Sequence, residues 1–120
     1  MEFDDLSRSV IGCAIEVHRN LGPGLLESTH RQCLSQAGIS FQMELARPVR
    51  YKGILLDCGY RIDLLVNGDV IVEIKSVESV LPIHHAQTLT CMRLAKVPVG
   101  LLINFNVIKL QSGIKRFVLS

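Results

Sequence analysis

The chain has little net charge, few cysteines and no long apolar run, and each shortage removes a class of protein. Thirteen Lys and Arg against eleven Asp and Glu leave a formal charge of +2 over 120 residues. An excess this small does not by itself argue for a polyanionic partner. It does not forbid one, because Arg47, Arg50, Lys52, Arg61, Lys109, Lys115 and Arg116 could gather on one side of the fold. The four cysteines, at 13, 33, 58 and 91, are too far apart along the chain for a metal knuckle or a redox pair. Cys13, Cys33 and Cys91 fall in helical segments and read as reduced thiols of a cytoplasmic protein. No stretch approaches the ~18 apolar residues of a membrane span. The acidic opening, Met1-Glu2-Phe3-Asp4-Asp5, is wrong for a secretion signal. Repeats and low-complexity segments are missing as well. What remains is one globular domain, residues 1–120, large enough to bury an ordinary core.

The stretch from Gly59 to Val77, GYRIDLLVNGDVIVEIKSV, carries the most chemistry. It reads as two strands and a turn. Ile62, Leu64 and Val66 alternate with Arg61, Asp63 and Leu65; Val70, Val72 and Ile74 alternate with Ile71, Glu73 and Lys75. Such alternation sends successive side chains to opposite faces of a sheet. Opposed residues of an antiparallel pair share a face, and the apolar series is even-numbered on both strands. The loop must then hold an odd number of residues. A two-residue turn at Asn67-Gly68 would slip the register by one and put half the apolar residues on the wrong face. A three-residue turn with Gly68 at positive φ is predicted instead. Asp63 and Glu73 become same-face neighbours, with Lys75 beside them. Two carboxylates about 5 Å apart repel by roughly 3 kcal/mol at an effective dielectric of 20. One should therefore have a raised pKa unless a hard divalent cation joins them. The plainer reading is a solvated polar face.

Around this hairpin the chain reads in order. A helix over 5–20 has Val10, Ile11, Ala14, Val17 and Leu21 at helical spacing, Asp4 or Asp5 as cap, and a break at residues 20–24. A second helix, about 25–37, stops at Gly38. Leu26, Thr29, Cys33 and Ala37 form one stripe on it; Glu27, His30, Arg31 and Leu34 form an adjacent one. Strands follow at Phe41–Leu45, Val49–Tyr51 and Ile54–Leu56, with Pro48 limiting pairing and a turn at Lys52-Gly53. This meander leads into the hairpin. A helix over 83–95 turns Ala86, Leu89 and Met92 inward. The run Val97–Phe105 suits a strand buried on both faces and, following a helix, paired in parallel. A last strand covers 114–119. The predicted fold is α/β: a mixed β-sheet flanked by helices.

Asp63, nine residues, then Glu73-Ile74-Lys75 resembles the signature of the PD-(D/E)XK nuclease superfamily. Gly24-Leu25-Leu26-Glu27-Ser28-Thr29-His30 resembles the motif that names the GxxExxY protein family, and VHRNLGPGLLE, GYRIDLLV and GLLINF are similar to it too. The resemblance covers nearly the whole chain. It implies a restriction-endonuclease-like αβββαβ core with an extra N-terminal helix. It further implies that Asp63, Glu73, the Ile74 carbonyl and Glu27 hold Mg²⁺ or Mn²⁺. Lys75 would activate the attacking water, and Gln87 would sit beside the metal. The implied reaction is metal-assisted hydrolysis of a phosphodiester in DNA or RNA. The alternative is a nuclease-fold binding or assembly module with little catalysis.

The motif ends in His30 where the family has Tyr. His30 could pair with Glu27, contact phosphate at the site's edge, or fill space; the plain reading is a helix-face histidine bonded to its i−3 neighbour. His18 could bond the last carbonyls of its helix or edge the site. His84 and His85 point about 100° apart and read as cap or surface residues. A homodimer through a strand edge or an apolar helix face would enlarge a small binding surface.

Overall fold

The computed structural model describes residues 5–22, 27–46, 49–51, 54–56 and 61–119, with side chains for 5–22, 29–43 and 62–119. Asp4, Gly24 to Leu26, Pro48, the Lys52-Gly53 turn and Cys58 lie outside the described residues, as do the side chains of Glu27 and Arg61. The order is α1 (Asp5–Leu21), α2 (Glu27–Gln36), β1 (Phe41–Ala46), β2 (Val49–Tyr51), β3 (Ile54–Leu56), β4 (Arg61–Val66), β5 (Val70–Lys75), α3 (Pro82–Ala95), β6 (Val99–Asn104) and β7 (Ile114–Val118). Five strands form one mixed sheet, β1-β4-β5-β6-β7, in which only β5 and β6 run parallel, joined through α3. The expected meander is corrected in one respect: β2 and β3 form a separate two-stranded ribbon, and β1 pairs directly with β4.

The central hairpin has the register that hydrophobic parity demands. Leu64 opposes Val72, Leu65 opposes Ile71 and Val66 opposes Val70, leaving Asn67, Gly68 and Asp69 in the turn. Asn67 and Gly68 both take the left-handed conformation, at φ 52° and 71°. Asp69 N–H donates to the Val66 carbonyl at 2.9 Å and closes the turn. Asn and Gly are the residues that tolerate this conformation best.

Both faces of the sheet are buried. On one, Leu64, Val66, Val70, Val72, Ile74, Leu101 and Ile103 pack with Val10, Cys13 and Ala14 of α1, Leu34 of α2, and Phe105. Val10, Ala14 and Val17 are buried as their spacing predicts, whereas Leu21 is 58% exposed in the last turn. On α2 the buried stripe is the one through His30 and Leu34, with Ala37 exposed. Leu34 is the bulkiest apolar side chain of the helix and sets which side faces in. Cys13 and Cys33, distant in sequence, meet across the α1–α2 seam; burial, then the bond to Cys33, pushes the Cys13 thiol up to about 12.

On the other face, Leu65 and Ile71 pack with Cys91 and Met92 of α3 and with Val97, and Ile62 joins this cluster. Parity had placed Ile62 with Leu64. The β4–β5 ladder ends at the Leu64–Val72 pair, so β4 no longer keeps step with β5 below it. The glycine at position 100 lets α3 approach closely: a Cβ there would lie 2.6 Å from Met92 Sδ. Within α3 the buried residues are Thr88, Cys91 and Met92, while Ala86 is exposed and Leu89 half-buried. The helix thus lays a polar-edged side over the acid-bearing face, which is covered instead of fully solvated.

Candidate metal and catalytic site

The site starts where the central ladder stops. Beyond Leu64–Val72, Asp63 and Glu73 would be the next opposed pair, yet their backbones do not pair. The Asp63 side chain fills the gap: its Oδ2 accepts the Ile74 N–H at 2.8 Å. Two β-segments that part in this way bring acids on facing strands together while keeping the local backbone satisfied.

Glu73 is only 7% exposed, and its Oε1 is buried without a hydrogen-bond partner among the described residues. Its carboxyl is pushed up to about 8, first by burial, then by the neighbouring Asp63 charge and a hydrogen bond with Asp63. The Cys91 thiol, from α3, and the Lys75 ammonium act in the opposite direction. Burial and the charge of Glu73 push Cys91 itself up to about 12, so it remains a thiol and donates. Asp63 and Lys75 are half-buried and reach solvent. The hairpin acids and the lysine are therefore electrostatic neighbours, Asp63 and Lys75 both acting on Glu73.

The remaining residues singled out from the sequence fall elsewhere or lack a described side chain. Glu27 opens α2, and Ile74 contributes its N–H to Asp63. Gln87 is exposed on α3. His18 is buried, and its Nε2 meets the Val107 carbonyl at 2.6 Å, not the last carbonyls of its own helix. His30 is fully buried: Nε2 bonds the Val10 carbonyl at 3.3 Å, the ring lies edge-on to Phe105 at 5.8 Å, and Nδ1 has no partner among the described residues. Burial lowers its pKa and keeps it neutral. The i−3 pairing expected for His30 gives way to a bond across the helix seam, because α2 turns this side toward α1. His84 caps α3, accepting the Leu81 N–H at Nδ1, while His85 packs edge-on against Phe117.

Two supporting residues were missed. Cys91 had been read only as packing. Asn104, 2% exposed, accepts Val77 N–H and Asn106 N–H at its Oδ1 and donates to the Val77 carbonyl. With Phe105 N–H bonding the Lys75 carbonyl at 2.9 Å, it fixes the chain just after Lys75. A signal existed for Asn104, as the sole polar side chain inside the apolar run Val97–Phe105.

The donor set fits a hard divalent cation in its chemistry: two carboxylates on adjoining strands, one with a sealed oxygen that no described residue satisfies. Among the described residues no group of three His, Cys, Asp or Glu is placed to hold a metal ion.

The family model of the PD-(D/E)XK nuclease superfamily matches residues 4–117. The chain belongs to that superfamily. Members of this PD-(D/E)XK group typically use divalent metals. The crystal structure of SSO0001 is similar in fold, with a TM-score of 0.58 at 18% identity, covering 93% of this chain. This chain spans 57% of that one. No curated protein matches. The five-stranded mixed sheet with three helices is the α/β restriction-endonuclease-like fold. Among the described residues no helix is long and apolar enough to cross a membrane.

Proposed function

We propose that this PD-(D/E)XK domain, taken as one unit over residues 1–120, is a Mg²⁺- or Mn²⁺-dependent nuclease that hydrolyses a phosphodiester of DNA or RNA. The observation that carries the reading is the unpartnered, buried Glu73 oxygen beside Asp63. A buried carboxyl oxygen left without a partner costs about 1–3 kcal/mol, more if charged, and calls for a partner from outside the chain. Asp63, Glu73 and the Ile74 carbonyl would hold the metal, with Glu27 directly or through a water. The bound ion would polarise the phosphate and lower the pKa of its water. Lys75 orients that water and offsets the charge that develops on phosphate. Cys91 holds the Glu73 carboxyl from behind, and Asp63 is held by the Ile74 N–H. Gln87, exposed on α3, would meet substrate at the rim.

We assign the chain to the GxxExxY group on its motif, with His30 as a core substitute for the motif's Tyr. Reduced cysteines fit a cytoplasmic protein, and the β1 edge with its exposed Met43 fits pairing with a second copy. A second reading, a weakly catalytic binding module, draws on the absence of a third gathered acid among the described residues. Thermal unfolding separates the two. Metal at 100 times its Kd should stabilise the wild type by about 2.7 kcal/mol and should leave Asp63→Asn unmoved. No shift in the wild type favours the binding module.

A further inference from the structure

A cavity of about 350 Å³ lies on the same sheet face as the acids, one strand further across. Its placement follows from register. Glu73 is level with Leu102 of β6, and Leu102 is opposed by Lys115 of β7. These three residues form one row on the α3 side of the sheet. With strands ~4.8 Å apart, Lys115 sits roughly 10 Å from Glu73 along that row. Leu102, Asn104 and Lys115 line the cavity from the sheet. His85 of α3, Glu78 of the preceding loop and Ser112 line it from the sides.

The chemistry of the recess is mixed. Leu102 supplies an apolar floor. His85 is fixed by its ring contact with Phe117, at 5.5 Å and 72°. The Asn104 amide is occupied in clamping Val77 and Asn106. Lys115 is exposed and makes no ion pair among the described residues, even though Glu78 lines the same cavity. An exposed ammonium beside an apolar floor matches a nucleotide: phosphate on the cation, base or sugar against the floor. The recess has the size of a small-molecule pocket and lies between α3 and β7. At about 350 Å³ it has room for one nucleotide and not for a base pair.

We infer that this recess seats a nucleotide flanking the scissile phosphate, with Lys115 on its phosphate, so that the site takes single-stranded nucleic acid. The inference rests on the nuclease reading for the identity of the scissile phosphate, and it adds the path and the strandedness of the substrate.

The test is binding of fluorescein-labelled 12-mer oligodeoxythymidylate, oligouridylate and a 12-base-pair duplex by anisotropy in EDTA. Wild type, Lys115→Ala and Ser112→Glu are compared, both changes lying on exposed positions. Lys115→Ala should weaken single-strand binding roughly fivefold and flatten the log–log salt slope by about 0.7. Ser112→Glu should weaken it comparably, with duplex binding little changed. The two single strands report whether deoxyribose or ribose is preferred. Affinities within twofold of wild type for both variants, or equal losses on single strand and duplex, overturn the inference. Lys115-dependent binding without metal-dependent cleavage by the wild type sinks the nuclease reading and leaves the recess as a binding site. Cleavage indifferent to Lys115 does the reverse.

Discussion

Mg²⁺ binding to the metal-free protein should release close to one proton at neutral pH. The Glu73 carboxyl sits at about 8 because it is buried and faces Asp63. At pH 7 a group of that pKa is about 0.9 protonated. A cation between the carboxylates requires both to be ionised, so that proton leaves. Apparent affinity should rise about tenfold per pH unit from about pH 5 to about pH 8 and then level off. Calorimetric titration in buffers of different ionisation enthalpy counts the released protons directly. Folding stability carries the same linkage. The folded pKa exceeds the ordinary 4.5, so the stabilisation from protonated Glu73 is fully present below about 4.5 and lost as pH rises through about 8. At 1.36 kcal/mol per pKa unit the loss is about 5 kcal/mol in the metal-free protein. Glu73→Gln should flatten that limb and abolish the proton release. A metal affinity that does not change between pH 6 and pH 9, with no proton released, would refute the reasoning.

Three further outcomes are expected. Cys91→Ala should weaken metal binding roughly tenfold through the lost support of Glu73, and Cys91→Ser should largely restore it, as read by the same titration. Gly100→Ala should cost about 1–3 kcal/mol in urea unfolding, because its Cβ meets Met92 Sδ, and Met92→Ala should relieve part of that loss in the double variant. His30, buried and neutral with a lowered pKa, protonates more readily in the unfolded chain. Its contribution should be present above about 6.5 and lost as pH falls below it, and His30→Phe should remove that part of the acid limb in thermal unfolding.

The hairpin was legible because alternation and turn length constrain each other. Even-numbered apolar residues on both strands excluded the Asn-Gly two-residue turn, and the three-residue turn followed. The same parity put Asp63 opposite Glu73, but the ladder stops at Leu64–Val72 and Asp63 accepts the Ile74 N–H instead. The parallel β6 was legible from an unbroken apolar run behind a helix. What escaped depended on tertiary packing. Whether His30 or Thr29 faced inward was settled by α1 lying against α2. The β2–β3 ribbon stands apart from the sheet because β1 takes the place beside β4, a long-range pairing that local pattern does not show. The closeness of Cys13 to Cys33 is invisible to sequence spacing, since two helices must pack to create it. The face turned inward by α3 carries Thr88 and Cys91, a pattern that hydrophobic periodicity does not flag, and so the donor behind Glu73 was missed.

The account is tested most directly by Mg²⁺- and Mn²⁺-dependent cleavage of labelled single-stranded DNA and RNA by the wild type and by Asp63→Ala, Glu73→Ala and Lys75→Ala. Cleavage by the wild type, lost in each folded variant and in EDTA, is predicted. Hydrolysis that persists in all three variants, or a wild type that binds metal and cuts neither strand, would contradict it.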